Sequence, residues 1–165
     1  MNKTVVVTGS SSGIGAAIVE EFSKSPMNIV INYNKNQSEA LKLLDKIKST
    51  GTRAISIKAD ISDVKEANFL IQTAINEFGK IDILVNNAGI SSQMLFTEIT
   101  PTLLDDTFKT NVYGMFYCTQ AAVRDMLKRH EGKIINISSI WGITGASCEV
   151  HYSSSKAAII VFTKS

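Results

Sequence analysis

Proline is scarce in this sequence: Pro26 and Pro101 are the only two in 165 residues, against ten glycines. A chain so seldom interrupted favours long regular elements. Cysteine is as rare. Cys118 and Cys148 stand in no CxxC or CxxH spacing, which removes the basis for a metal site or a disulfide scaffold. Both are expected as reduced thiols, Cys118 in the core and Cys148 in a loop. Neither charge sign is in excess. Seventeen Lys and Arg against fifteen Asp and Glu leave a formal charge of +2, so there is no electrostatic case for nucleic acid or an anionic membrane as partner. Long apolar runs are missing too. After Asn2-Lys3-Thr4 comes only Val5-Val6-Val7, far short of a signal-peptide core, and no stretch approaches membrane-spanning length; the expected location is the cytoplasm. What is present is an ordinary globular composition, 44% hydrophobic and 19% charged. It is read as one domain over 1–165, burying roughly two-thirds of the surface an unfolded chain exposes.

The apolar pattern alternates between two periods. Short β-branched runs at Val5–Val7, Ile29–Ile31, Ala54–Ile57, Ile81–Val85 and Ile134–Ile137 are mostly too apolar to have a wet face and predict buried parallel strands. Between them the 3,4 spacing predicts helices over Ile14–Ser25, Glu39–Ser49, Asp63–Phe78 and Asn111–Arg129. Gly51 and Gly79 follow two of these as stops, and Thr100-Pro101 opens a further helical segment. Strands alternating with helices predict an α/β fold, a doubly wound parallel sheet of the Rossmann type. Ligands of such sheets lie beyond the carboxyl ends of the strands, so the residues after each strand are the ones to inspect.

Thr8-Gly9-Ser10-Ser11-Ser12-Gly13-Ile14-Gly15 follows the first strand and leads into a helix. Its glycines allow a tight turn and close backbone approach, and a helix N-terminus offers N–H groups to a phosphate. The spacing is neither GxxxxGK nor GxGxxG but GxxxGxG, and Gly9, Ser11, Ser12, Gly13, Ile14 and Gly15 are the candidate cofactor contacts. An acid is usual about 20 residues further on, where it holds a ribose 2′-OH. Here that segment reads Asn32-Tyr33-Asn34-Lys35-Asn36 and has none. Asn32, Tyr33 and Lys35 are therefore candidate contacts, and the lean is towards NADP(H) over NAD(H), with Lys35 as a solvated loop lysine the alternative. After the third strand, Asp60-Ile61 would meet an adenine, or Asp60 merely caps the next turn. After the fourth, Asn86-Asn87-Ala88-Gly89 offers Asn87, Ala88 and Gly89, unless turn chemistry alone explains them.

Near the end stand Ser138-Ser139, then Tyr152 and Lys156. Tyrosine and lysine at i and i+4 share a helix face, and an ammonium there favours the phenolate, as a proton-donating hydroxyl near neutral pH requires. A serine thirteen residues before the tyrosine supplies a second hydroxyl for a substrate oxygen.

Taken together, these segments resemble the short-chain dehydrogenase/reductase family over essentially the whole chain: the Thr8–Gly15 turn, Asp60, Asn86–Gly89, Asn111, Ser139, and Tyr152-Ser153-Ser154-Ser155-Lys156. The resemblance implies that Tyr152 protonates a carbonyl oxygen as hydride arrives from a nicotinamide. It implies that Ser139 holds that oxygen, Lys156 assists Tyr152 and binds the nicotinamide ribose, and Asn111 positions a water. Within the family, Asn32-Tyr33, Gly79–Ile90 and Ile134–Ser139 are similar to the bacterial 3-oxoacyl-acyl-carrier-protein reductases of fatty acid biosynthesis, implying a carrier-bound carbonyl substrate. Those reductases often carry arginine where this chain has Ser12, which argues against NADP(H). The stretch 140–150 also resembles reductases of a ketone modification on elongation factor P. There Trp141 and Glu149 would line the substrate entrance, unless the first is merely packed and the second merely solvated.

Family members continue past the helix that begins near Tyr152, with strands that cover the sheet edge. The expectation is therefore a chain incomplete at its C-terminus, and a homotetramer, through that helix and the one over Asn111–Arg129, at full length. Two readings of other classes stay open: a flavodoxin-like electron carrier, since Thr8–Gly13 also resembles an FMN phosphate loop, and a binding protein that keeps the fold without turnover.

Overall fold

The computed structural model describes residues 2–165. Five parallel strands run β1 (Lys3–Val7), β2 (Met27–Tyr33), β3 (Arg53–Lys58), β4 (Ile83–Asn86) and β5 (Lys133–Asn136), in the order β3-β2-β1-β4-β5. The helices between them are α1 (Gly13–Phe22), α2 (Gln37–Ser49), α3 (Val64–Phe78), α4 (Pro101–Phe108), α5 (Gly114–Arg129), α6 (Trp141–Thr144) and α7 (Val150–Lys164). Winding runs outward from β1 in both directions, so the order reverses between β1 and β4. That is where a doubly wound sheet opens a crevice.

The alternation of side chains along β1 shows why the run Val5-Val6-Val7 carries no polar residue. Val5 and Val7 point into a core with Val19 of α1, Ala40, Leu43 and Ile47 of α2, and Ile29 and Ile31. Val6 points the other way, into a core with Leu70, Ile71 and Ala74 of α3 and Cys118, Ala121 and Ala122 of α5. A sheet covered on both faces needs apolar residues at every position of its central strands. Cys118 is fully buried and pushed up to about 12 by desolvation, while Cys148 is only half-buried; both are free thiols.

The amino ends of β1 and β4 are joined by a charge cluster. Asp82, buried between β1 and β4, accepts the Thr4 N–H at 2.8 Å and meets Lys80 Nζ at 2.9 Å and Arg129 Nη1 at 3.4 Å. Arg129 also grips Asp125 and the Ile81 carbonyl. Burial alone would raise the Asp82 carboxyl, but the Lys80 and Thr4 hydrogen bonds and the charges of Lys80 and Arg129 hold it below its ordinary value.

Several boundaries depart from the sequence pattern: α1 ends at Phe22 and not Ser25, α2 opens at Gln37 and not Glu39, and β4 begins at Ile83 and not Ile81. The helix expected to begin at Asn111 instead runs on from Pro101 through α4, a π-helical turn at Lys109–Tyr113, and α5. Thr100 caps its start, with Oγ1 accepting from Leu103 N–H, and Pro101 occupies the first turn. The π turn inserts one residue into the ladder and so resets the helical phase at Asn111, which the 3,4 pattern C-terminal to it conceals. The short α6, four residues long, has no periodic signal at all.

Candidate active site

The Thr8–Gly15 turn is built by hydrogen bonds from its neighbours. Thr8 Oγ1 accepts from the N–H groups of Asn87 and Ala88, and the Asn87 side-chain amide donates to the carbonyls of Thr8 and Gly9, both at 3.0 Å. From the other side, Asn32 Oδ1 accepts from Gly9 N–H at 3.0 Å, while its amide donates to Ala59 and Ile57 carbonyls. Four strand ends, those of β1, β2, β3 and β4, are thereby tied into one surface.

The glycines of the turn have separate reasons. Gly9 sits at φ +59, and a Cβ there would stand 2.8 Å from Ala88 Cα. Gly15 has an ordinary φ, but a Cβ would stand 2.5 Å from Asn87 Nδ2, so its absence lets α1 approach the β4 loop. Beyond them the first turn of α1 has no acidic residue, and its N-cap Ser12 makes no side-chain capping bond. The orphan N–H groups of the helix start remain available to an anion.

These groups face a cleft of about 420 Å³, walled by Gly9, Ser12 and Ile14 on one side, Asn87, Ala88, Gly89, Ile90 and Ser91 along the middle, and Thr110, Ile137, Ser138, Tyr152 and Lys156 on the other. Tyr152 and Lys156, predicted from their i,i+4 spacing together with the serine thirteen residues before the tyrosine, thus meet the phosphate-type turn in one place. Lys156 is buried; its Nζ donates to the Ile137 carbonyl at 2.9 Å and lies 5.6 Å from the Tyr152 ring centroid. Desolvation pushes its ammonium below the ordinary lysine value. Gly89 permits this packing, since a Cβ there would lie 3.4 Å from Lys156 Nζ and 3.2 Å from Asn111 Oδ1. Trp141 stands edge-on to Tyr152, with ring centroids 6.1 Å apart.

The two serines after β5 are distinguished by their bonds. Ser138 lines the cleft but gives its hydroxyl proton to the Lys156 carbonyl at 2.7 Å. Ser139 Oγ accepts from Trp141 N–H at 3.2 Å and so keeps its own proton to donate. Asn111 is buried in the π turn, with Oδ1 accepting from Ile90 N–H and Nδ2 donating to the Ile90 carbonyl and Ser155 Oγ. Both amide hydrogens are therefore engaged within the protein.

Several expected contacts lie away from the cleft wall. Tyr33 packs into the core under α2, and Ile61 is buried and packs over Gly114. Their side chains serve the core. Asn32 spends its side chain on the turn. Ser11, Gly13 and Gly15 shape the turn without lining the cleft. Asp60 accepts from the Ser62 N–H and hydroxyl, and it is Asp63 that caps α3. Burial alone would raise Asp60, but the Ser62 bonds, Asn34 and the charge of Lys35 hold it below its ordinary value. Lys35 is thus exposed but stands within electrostatic reach of a carboxylate. Glu149 is not solvated: it is buried and bonded to Ser91. Ile90, Ser91, Thr110 and Ile137 escaped the sequence reading because no side-chain chemistry marks them; only their places after β4, before Asn111 and after β5 would have.

The cleft suits a dinucleotide. An uncapped helix start, a turn with no room for Cβ atoms, and a lysine and tyrosine beyond it match the two ends of such a molecule. An electron carrier would have no use for Tyr152 and Lys156. Comparison with known proteins agrees. The pattern of the short chain dehydrogenase family matches residues 3–165. The chain is 36% identical over 165 residues to the 3-oxoacyl-[acyl-carrier-protein] reductase FabG of Staphylococcus aureus, covering all of this chain and 67% of that one. It is 35% identical over 158 residues to an L-rhamnose 1-dehydrogenase (NAD(P)(+)) of Sphingomonas, covering 95% and 62%. A crystal structure from Sinorhizobium meliloti, described as a short-chain alcohol dehydrogenase, superposes with a TM-score of 0.94 at 29% identity, covering 99% of this chain and 65% of that one. The chain therefore spans about two-thirds of the length of the relatives it matches. A match that runs unbroken through the cofactor-type turn, the β4 loop and the Tyr152 helix leaves one assignment: the chain belongs to the short-chain dehydrogenase family.

Proposed function

We propose that this chain reduces a carbonyl to an alcohol with a nicotinamide cofactor, NADP(H) by preference, on a 3-oxoacyl thioester or similar carrier-bound substrate. The observation that carries the reading is the placement of Tyr152 and Lys156 across one cleft from the uncapped turn at Gly9 and Ser12. The turn and the start of α1 would hold the pyrophosphate. The β4 loop at Asn87–Gly89, with Tyr152 and Lys156, would hold the nicotinamide riboside. When bound, the cofactor supplies the hydride. Tyr152 donates its phenolic proton to the substrate oxygen, and Lys156, beside the ring, stabilises the phenolate left behind. Ser139 donates a hydrogen bond to the same oxygen. Asn111, buried against the β4 loop through Ile90, would position a water that returns the proton.

The preference for NADP(H) rests on the exposed Lys35 and the missing acid at the end of β2, and is opposed by Ser12 and by Asp60 close to Lys35. A second reading, oxidation of a sugar hydroxyl, is favoured by the near-equal identity to the rhamnose dehydrogenase. The apolar groove between α5 and α7, where exposed Phe116 meets Phe162 at 4.7 Å, supports association of copies into the tetramer.

The experiment is a parallel assay of NADPH and NADH oxidation with an acetoacetyl thioester and of NAD+ and NADP+ reduction with L-rhamnose. Faster NADPH oxidation with the thioester is expected. Turnover with rhamnose alone would replace the carrier-bound substrate by a sugar, and no turnover in any arm would overturn the reading.

A further inference from the structure

Between Asn87 and Leu95 the chain has no regular secondary structure, yet it supplies the middle wall of the cleft through Gly89, Ile90 and Ser91. Such a segment keeps a shape only if side chains outside it hold it. Asn111 holds Ile90 from one side, reading both its N–H and its carbonyl. The other side is held by the turn immediately ahead of Tyr152. Ser91 Oγ donates to Glu149 Oε2 at 3.1 Å, Ser92 Oγ lies 3.0 Å from His151 Nε2, and Met94 N–H donates to the Cys148 carbonyl at 2.8 Å.

Three features mark these bonds as more than packing. Glu149 occupies the N-cap of α7, where a short acceptor would ordinarily cap the helix, but makes no capping bond and directs its carboxylate to Ser91 instead. It does so while buried, where an ionised carboxylate is unfavourable unless its partner is well placed. His151 is also buried, and among the described residues its Nδ1 has no partner and Ser92 is the ring's one hydrogen-bonding connection. Cys148 adopts φ +59, a conformation that a non-glycine residue adopts only under constraint, at the residue whose carbonyl meets Met94.

We propose that Glu149 and His151 are positioning residues: through Ser91 and Ser92 they lock the β4 loop to the first turn of the helix that carries Tyr152, and so set the fit of the carbonyl substrate. The proposal rests on the reading of Tyr152 as proton donor. The pyrophosphate end of the cofactor is outside its reach and is expected to carry most of the NADPH affinity, because the turn at Gly9 is anchored separately by Thr8, Asn32 and Asn87.

Full-chain variants Glu149→Ala and His151→Ala, with Glu149→Gln and His151→Gln as conservative partners that keep an acceptor or donor near the same place, test this. Each alanine variant is expected to lower kcat/KM for the acetoacetyl thioester about tenfold, mainly through KM, with NADPH affinity and Tm within twofold and a few degrees of the parent; the glutamine variants restore most of the loss. Amide hydrogen exchange at Ile90 and Met94 is expected to quicken about tenfold in the alanine variants, and at Ala16 and Val19 to stay unchanged. Unchanged exchange at Ile90 and Met94, glutamine variants as poor as alanine, or NADPH affinity and Tm falling in step with kcat/KM would each overturn the proposal. If the parent reduces no carbonyl, the proposed activity fails and the substrate-fitting role with it, while the exchange data still decide whether the loop is locked.

Discussion

The two ends of one sheet are built on opposite principles. At the amino end a buried carboxylate, Asp82, is surrounded by Thr4, Lys80 and Arg129, so that charge is matched. At the carboxyl end the strands stop at a turn with no Cβ at Gly9 or Gly15, an uncapped helix start and a lysine whose burial is answered by one carbonyl. The same strands thus place a matched charge cluster at one end and, at the other, hydrogen-bonding capacity left over for a ligand. Stability and chemistry are expected to be separable by mutation along the strand axis.

The sharpest test is Tyr152→Phe. Loss of the phenolic proton is expected to lower kcat by about a hundredfold or more, with NADPH affinity and Tm unchanged; a large loss of stability would show that the two ends are not separable. Asp82→Ala should do the reverse. Leaving Arg129, Lys80 and the Thr4 N–H without their shared acceptor is expected to cost about 3 kcal/mol in denaturant unfolding, while the folded variant keeps its kcat/KM. The wild-type contribution has a pH signature: because the Asp82 value is lowered on folding, its stabilisation is present above the ordinary 3.8 and is lost as pH falls through the folded value. Gly9→Ala crosses the divide. A side chain at φ +59 pressed on Ala88 is expected to cost about 1–3 kcal/mol, divided between Tm and NADPH affinity, as melting and fluorescence titration would read.

The smallest effect concerns Lys156. Its folded value is depressed by desolvation, so the unfolded chain binds the extra proton between that value and the ordinary 10.5, and the folded state gains stability as pH rises across that window. Lys156→Met should remove this rise, measured as the difference in unfolding free energy between the two proteins from pH 7 to pH 10. A rise of the same size in both would place its cause elsewhere.

Legibility in the sequence followed how local each signal was. The strands were plain because both sheet faces are covered, so Val5–Val7 and Ile29–Ile31 could carry no polar residue. Tyr152 and Lys156 were legible because i and i+4 share a helix face and a serine stands thirteen residues before the tyrosine; the i,i+4 pair alone is a weak signal. Tyr33 and Ile61 were read as ligand contacts from their places after strands, but apolar bulk at a strand end serves the core first. Glu149 offered an entrance residue or a solvated one. Its burial against Ser91 depends on a loop 58 residues earlier in the chain, which no local pattern reports.

Periodicity, glycine spacing and the order of short polar motifs determined that the chain is a doubly wound α/β protein and which residues stand at its strand ends. Only the tertiary structure decided which of those side chains face the cleft and which are spent on building it. Ser138 and Ser139 are neighbours of identical chemistry, yet one gives its proton to the Lys156 carbonyl and the other retains it. The physical reason is that backbone pattern depends on neighbours a few residues away, whereas the fate of a hydroxyl or carboxylate depends on partners that folding brings from tens of residues away.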